Sequence, residues 1–221
     1  MLDQSAAEAF FSFVKNYKPD IRIHAGDFSD LRALRRGASP EELADGIDHD
    51  LREAFKFLDR YDPHTVLFGN HDARLVNTAH THRNGVIRYA AGRVLDDLYK
   101  QLDGVQLYPY CKRRGVHQLG SYRVVHGYSA GVYAAKKAAQ AYGSVIMAHV
   151  HSPMRVHLDH IEDIEGISMG CLCNLNMEYT NHALGTLRWR HGWAWGVIDK
   201  AGRTTVHLST KQDGHFNTEA A

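Results

Sequence analysis

An α/β or α+β fold is predicted, and three observations predict it. Helical and extended segments alternate through the first half of the chain, and the strands of that half close on Gly26-Asp27 and Gly69-Asn70. The second half switches to short extended runs separated by turns such as Leu119-Gly120-Ser121 and Lys200-Ala201-Gly202. With 221 residues, 44% of them hydrophobic, the chain can bury one substantial core. The organisation expected is therefore a single domain over residues 1–210, built of βαβ units followed by antiparallel strands, with 211–221 as a polar tail.

The elements follow in order. Ser5-Ala6-Ala7-Glu8 has the pattern of a capping box, and Phe10, Phe13, Val14 and Tyr17 recur at helical spacing, so a helix runs from about Ser5 to Tyr17 and stops at Pro19. Ile21–Ala25 reads as a strand. Pro40–Leu43 and Leu51–Leu58 carry helical periodicity, and Asp62-Pro63 breaks it before a second strand, Thr65–Phe68. Residues 73–103 read as mostly helical, with Val94, Leu95, Leu98 and Leu102 on one face. Val116–Leu119 and Tyr122–Val125 form a hairpin, Ala134–Tyr142 a helix, and Ser144–Ala148 a strand. The remainder up to Leu208 reads as strands.

Composition excludes several classes of partner. With 26 Lys and Arg against 25 Asp and Glu, the net charge of +1 provides no field to recruit nucleic acid or an anionic membrane. No apolar run approaches the about 20 residues of a membrane helix, and no secretory signal is legible, so a cytoplasmic protein is expected. Three cysteines give no disulfide framework. Cys171-Leu172-Cys173 alone is a poor zinc signature, and both thiols are read as packed beside a strand. Lys112-Arg113-Arg114 is read as a solvated turn, and the alternation of aromatic residues in Arg188–Trp195 as a strand burying one face. His24, His49, His64, His80, His82, His117, His157, His160, His182, His191, His207 and His215 are read as surface or packed residues.

Four short polar stretches stand apart, in order along the chain: Gly26-Asp27, Gly69-Asn70-His71-Asp72, His126-Gly127 and His149-Val150-His151. Each places an Asp, Asn or His where an apolar run meets a loop, which is how a fold gathers hard and borderline metal ligands from distant segments. The series resembles the motif order of the calcineurin-like metallophosphoesterases over residues 26–151, with Ala148 where that family usually has Gly. The Gly170–Cys173 segment, followed by Arg188-Trp189-Arg190-His191-Gly192, also resembles the C-terminal part of family members carried by bacteriophages.

The resemblance implies an α/β fold of the metallophosphoesterase type: a sandwich of two mixed β-sheets flanked by helices. It implies a hydrolase acting on a phosphomonoester or phosphodiester by attack of metal-bound hydroxide, the nuclease reading sharing that chemistry. Two divalent cations (Mn²⁺, Fe²⁺, Zn²⁺ or Ni²⁺) are expected roughly 4 Å apart in such a site. One would be held by Asp27, Asn70, His126 and His149. The other would use Asp27, as a bridge, with His151 and an Asp-x-His at the end of an opening strand. No Asp-x-His precedes Asp27, so that opening strand is read as missing, the second cation as poorly held, and activity as impaired. An impaired single-metal member acting as a binding module is the alternative reading. His71 is implied to face the substrate as a general acid, with Asp72 holding its imidazole in one tautomer.

Overall fold

The structure, a computed structural model, describes residues 2–35, 37–44, 46–176 and 184–218. The α/β class holds, with the chain divided into two compact units. One comprises Asp20–Gly115; the other joins Met1–Pro19 to Val116–Ala221.

In the Asp20–Gly115 unit, β1 (Ile23–His24), β2 (Thr65–Leu67) and β3 (Gln106–Tyr108) form a parallel sheet in that order. Parallel neighbours need crossovers, and helices supply them. Between β1 and β2 lie α2 (Pro40–Ala44) and α3 (Ile47–Tyr61); between β2 and β3 lie α4 (Asp72–Thr81) and α5 (Gly85–Gln101). Asn84 ends the 73–103 helix in two pieces: its side chain caps α5 by accepting from the N–H groups of Val86 and Ile87. The core of this unit collects Leu51 and Leu58 from α3, Leu75 from α4, Leu95 and Leu98 from α5, and Val66 from β2. The three β2 residues are all buried, as a central parallel strand requires. Lys112–Arg114 is the exposed turn expected.

The other unit begins with α1 (Gln4–Tyr17). Its cap differs from the capping box expected at Ser5. The Asp3 carboxylate accepts from the Ala6 N–H at 2.9 Å, so Ser5 already lies inside the helix. A carboxylate both satisfies an orphan donor and opposes the positive helix end, which favours Asp3 over the hydroxyl. Antiparallel β4 (Val116–Leu119) and β5 (Tyr122–Val125) come next, then α6 (Ala134–Tyr142), β6 (Val145–Met147), β7 (Met154–His157) and β8 (Glu165–Ser168). These strands make one sheet in the order β4-β5-β6-β8-β7. It is mixed rather than antiparallel, since β5 pairs with β6 and β6 with β8 in parallel. On it packs α6, through Ala134, Ala135 and Ala139 against Val125, Val145 and Met147.

A third group of strands closes the unit: β9 (Gly192–Ile198), β10 (Thr204–Gln212) and β11 (His215–Phe216), all antiparallel. Trp193 and Trp195 on β9 meet α1, with ring centroids of Phe10 and Trp193 5.4 Å apart and of Tyr17 and Trp195 5.0 Å apart. The Tyr17 hydroxyl donates to the Gly196 carbonyl at 2.7 Å. Residues 211–216, expected as part of a polar tail, instead form a hairpin. Asp213 (φ 47°) and Gly214 (φ 85°) supply the two left-handed residues that a tight Asp-Gly turn demands.

Candidate metal centre and catalytic residues

At the C-terminal ends of β1 and β2, two loops interlock through Asp27, His71 and Asp72. Asp27 sits in left-handed backbone (φ 55°), a conformation Asp tolerates better than most residues. Its Oδ1 accepts from the His71 N–H at 2.8 Å, and its own N–H donates to Asp72 Oδ2 at 2.7 Å. Asp72, 2% exposed, also accepts from the N–H groups of Gly69 at 2.8 Å and Ser29 at 3.3 Å. Asn70 is half-buried between Gly69 and His71 on the same loop.

The partner of the His71 ring is not the one the sequence suggested. Asp30 Oδ1 lies 2.9 Å from His71 Nδ1, whereas the Asp72 carboxylate serves backbone donors of both loops. Asp72 is thus corrected from the residue that orients the imidazole to a buried clasp. The reason is local. His71 is the N-cap of α4 and Asp72 its first residue, and neighbours in a helix project about 100° apart. Arg74 steadies Asp30 by donating to its carbonyl at 2.7 Å. Burial raises the Asp30 carboxyl, but the hydrogen bond and charge of His71 and the charge of Arg74 outweigh it, leaving the group below its ordinary range. The His71 nitrogen left facing away from Asp30, Nε2, lies 3.9 Å from Asp27 Oδ2.

Two predictions arise here. Asp30→Asn should lower turnover by at least about 10-fold while leaving metal content unchanged, in the direction seen when the carboxylate that orients a catalytic imidazole is replaced by its amide. Its pH–rate profile should also shift, which a purely structural lesion would not produce. Asp72→Ala should orphan the three N–H groups and destabilise the protein by about 3 kcal/mol or more, read as a drop in the denaturant midpoint.

In the other unit, His126 directly follows β5 and is 1% exposed. Its ring meets that of His149 with centroids 5.2 Å apart and planes at 67°. Gly127 (φ 125°) makes the approach feasible, since a Cβ there would stand 2.8 Å from His149 Cβ. His149 and His151 do not lie on β6, as a strand-borne pair would. Both follow it in left-handed backbone, at φ 70° and φ 54°. Their rings consequently have different neighbours. His151 stacks edge-on against Trp189 at 4.7 Å and brings Nδ1 to 3.8 Å from Cys173 Sγ.

Cys171 and Cys173, read from sequence as packed beside a strand, cluster with His151, their sulfurs 3.3 Å apart. Each other's hydrogen bond is the leading influence on the two thiols. It lowers Cys173 and raises Cys171. Of the histidines read as surface or packed, His191 is buried and its Nε2 donates to the Cys173 carbonyl at 2.9 Å. His24 packs its ring on Phe28 and Phe57, and His182 lies outside the described residues. Asp50 receives the N–H of Leu31 at 3.2 Å, a structural duty. Sequence reasoning missed Asp30, for which Gly26-Asp27-Phe28-Ser29-Asp30 held the signal, and it missed the Cys171–Cys173 cluster.

A family model for calcineurin-like phosphoesterases matches residues 3–178. This chain belongs to the calcineurin-like phosphoesterases. Membership makes it a phosphoesterase, a hydrolase of phosphate esters, in a family that works with divalent metals. The phosphoesterase is also similar to a solved structure described as a novel archaeal phosphodiesterase, at 13% identity over 92% of this chain and 91% of that one, with a TM-score of 0.43. No curated protein matches it. Among its described residues, no helix is long and apolar enough to cross a membrane.

Proposed function

We propose that this phosphoesterase hydrolyses a phosphomonoester or phosphodiester in a metal-dependent reaction. Asp27, Asn70, His126 and His149 would hold one divalent cation. Two oxygen and two imidazole donors form a set suited to Mn²⁺, Fe²⁺, Zn²⁺ or Ni²⁺. Cations bound in such a site supply Lewis acidity, neutralising phosphoryl charge and acidifying a coordinated water.

The chain's own residues do the rest. The Asp27 carboxylate is held in place by the His71 N–H, and its backbone by the Asp72 clasp, so its orientation is set before any cation arrives. As the imidazolium, with a proton on each ring nitrogen, His71 donates its Nδ1–H to Asp30 and would pass its Nε2 proton to the departing alcohol oxygen. The observation that carries this reading is the pairing of His71 with Asp30 beside the Asp27 carboxylate, because it fixes the orientation of one imidazole between two anionic groups, with Nε2 turned away from Asp30.

The test is hydrolysis of 4-nitrophenyl phosphate and bis(4-nitrophenyl) phosphate by the purified chain with Mn²⁺, before and after chelation. Turnover of at least one ester that disappears with chelation is the expected result, and the ratio of the two rates reports the preferred substrate class. Inactivity toward both esters with metal supplied, or activity indifferent to chelation, would overturn the reading.

A further inference from the structure

The cluster of His151, Cys171 and Cys173 lies outside the ligand set just assigned to one cation, and its chemistry differs from that set. We propose that His151, implied by the family resemblance to share a second cation with Asp27 and an Asp-x-His, in this chain instead joins Cys171 Sγ and Cys173 Sγ through its Nδ1 to bind a thiophilic divalent cation of the zinc type, with the fourth position left to water or an incoming ligand. All three donor atoms lie within 4.8 Å of one another. Zinc bonds of about 2.3 Å to sulfur and about 2.0–2.1 Å to nitrogen at tetrahedral angles place S···S at roughly 3.8 Å and S···N at roughly 3.6 Å. The observed separations, 3.3 Å between the sulfurs and 3.8 Å from Cys173 Sγ to His151 Nδ1, fall close to both.

The backbone is built to keep them there. Arg190 joins the two loops that carry the donors: its N–H donates to the His151 carbonyl at 2.9 Å, and its carbonyl accepts the Cys171 N–H at 3.1 Å. Cys173 forms a bridge with Leu2, and the Asp3 N–H donates to the intervening Leu172 carbonyl at 2.8 Å. At Gly170 a Cβ would stand 2.5 Å from the Arg190 carbonyl, so only glycine permits this approach. Two thiolates favour zinc over the oxygen-seeking Mn²⁺ or Mg²⁺, which distinguishes this set from that of Asp27, Asn70, His126 and His149. The inference holds whether or not the chain hydrolyses phosphate esters.

The test is spectroscopic and needs no turnover. Co²⁺ added to the reduced, metal-free full chain should produce a thiolate-to-cobalt charge-transfer band that added Zn²⁺ displaces. Cys111→Ser should retain the band, whereas His151→Ala should weaken Co²⁺ affinity and the Cys171→Ser/Cys173→Ser pair should abolish the band. Should the serine pair fail to fold, alkylation of the unsubstituted chain decides. Zn²⁺ should slow iodoacetamide labelling of Cys171 and Cys173 at least about 10-fold, mapped by mass spectrometry, while Cys111 is unaffected. A chain that shows no charge-transfer band, or whose Cys171 and Cys173 label equally fast with and without Zn²⁺, has no such site.

Discussion

Asp27→Asn should reduce metal-dependent hydrolysis to the level of the metal-free chain while the protein remains folded. The substitution is chosen because the structure isolates the charge. An Asn side-chain oxygen can still accept the His71 N–H now held by Oδ1 at 2.8 Å, and Asn tolerates the left-handed φ of 55° about as well as Asp. The Asp27 N–H, which reaches Asp72, belongs to the backbone and is untouched. Only the negative charge goes, and with it the anionic oxygen proposed to hold metal. Metal content by mass spectrometry should fall together with activity, and the thermal midpoint of the metal-free protein should hardly move. Near-normal turnover with metal retained would remove Asp27 from the proposed site.

His71→Ala should behave in the opposite way, retaining metal but losing turnover by on the order of 10²–10⁴, the usual contribution of a positioned general acid. The truncation spares the contact that steadies Asp27, because that contact comes from the His71 backbone. It removes only the ring that Asp30 orients. Esters of good leaving groups such as nitrophenolate should suffer least, since a stable anion departs without a proton. A variant that loses metal instead, with turnover per bound ion unchanged, would make His71 a ligand rather than an acid.

Much of this arrangement was legible because glycine and polar residues mark strand ends. Gly26-Asp27, Gly69-Asn70 and His126-Gly127 all lie at or just past the strand termini where the alternation of apolar segments placed them. The β4–β5 hairpin and α6 followed directly from period and turn chemistry. What was illegible depends on torsions that no pattern encodes. The resemblance implied that Asp72 would hold the His71 ring, yet the start of α4 points the two side chains apart. It took left-handed residues at Asp27 and Leu31, on either side of Asp30, for the chain to turn tightly where Asp30 meets the ring. His149-Val150-His151 follows the strand as the sequence placed it, but positive φ at both histidines, which no pattern announces, sends one ring toward His126 and the other toward sulfur. The strand β3, three residues long, had too little alternation to register.

The docking of α1 on β9 sets a schedule for biosynthesis. Phe10, Phe13 and Tyr17 are made well before Trp193 and Trp195, which cover them. The Tyr17 hydroxyl and the Gly196 carbonyl are separated by 179 residues. At a synthesis rate of about 5–20 residues per second, the aromatic face of the helix waits roughly 10–40 s for its cover. The Asp20–Gly115 unit, whose described core residues all fall between Phe28 and Tyr110, is synthesised long before that. A nascent chain stalled between the two events would hold one finished core and one exposed aromatic stripe, a natural target for a chaperone.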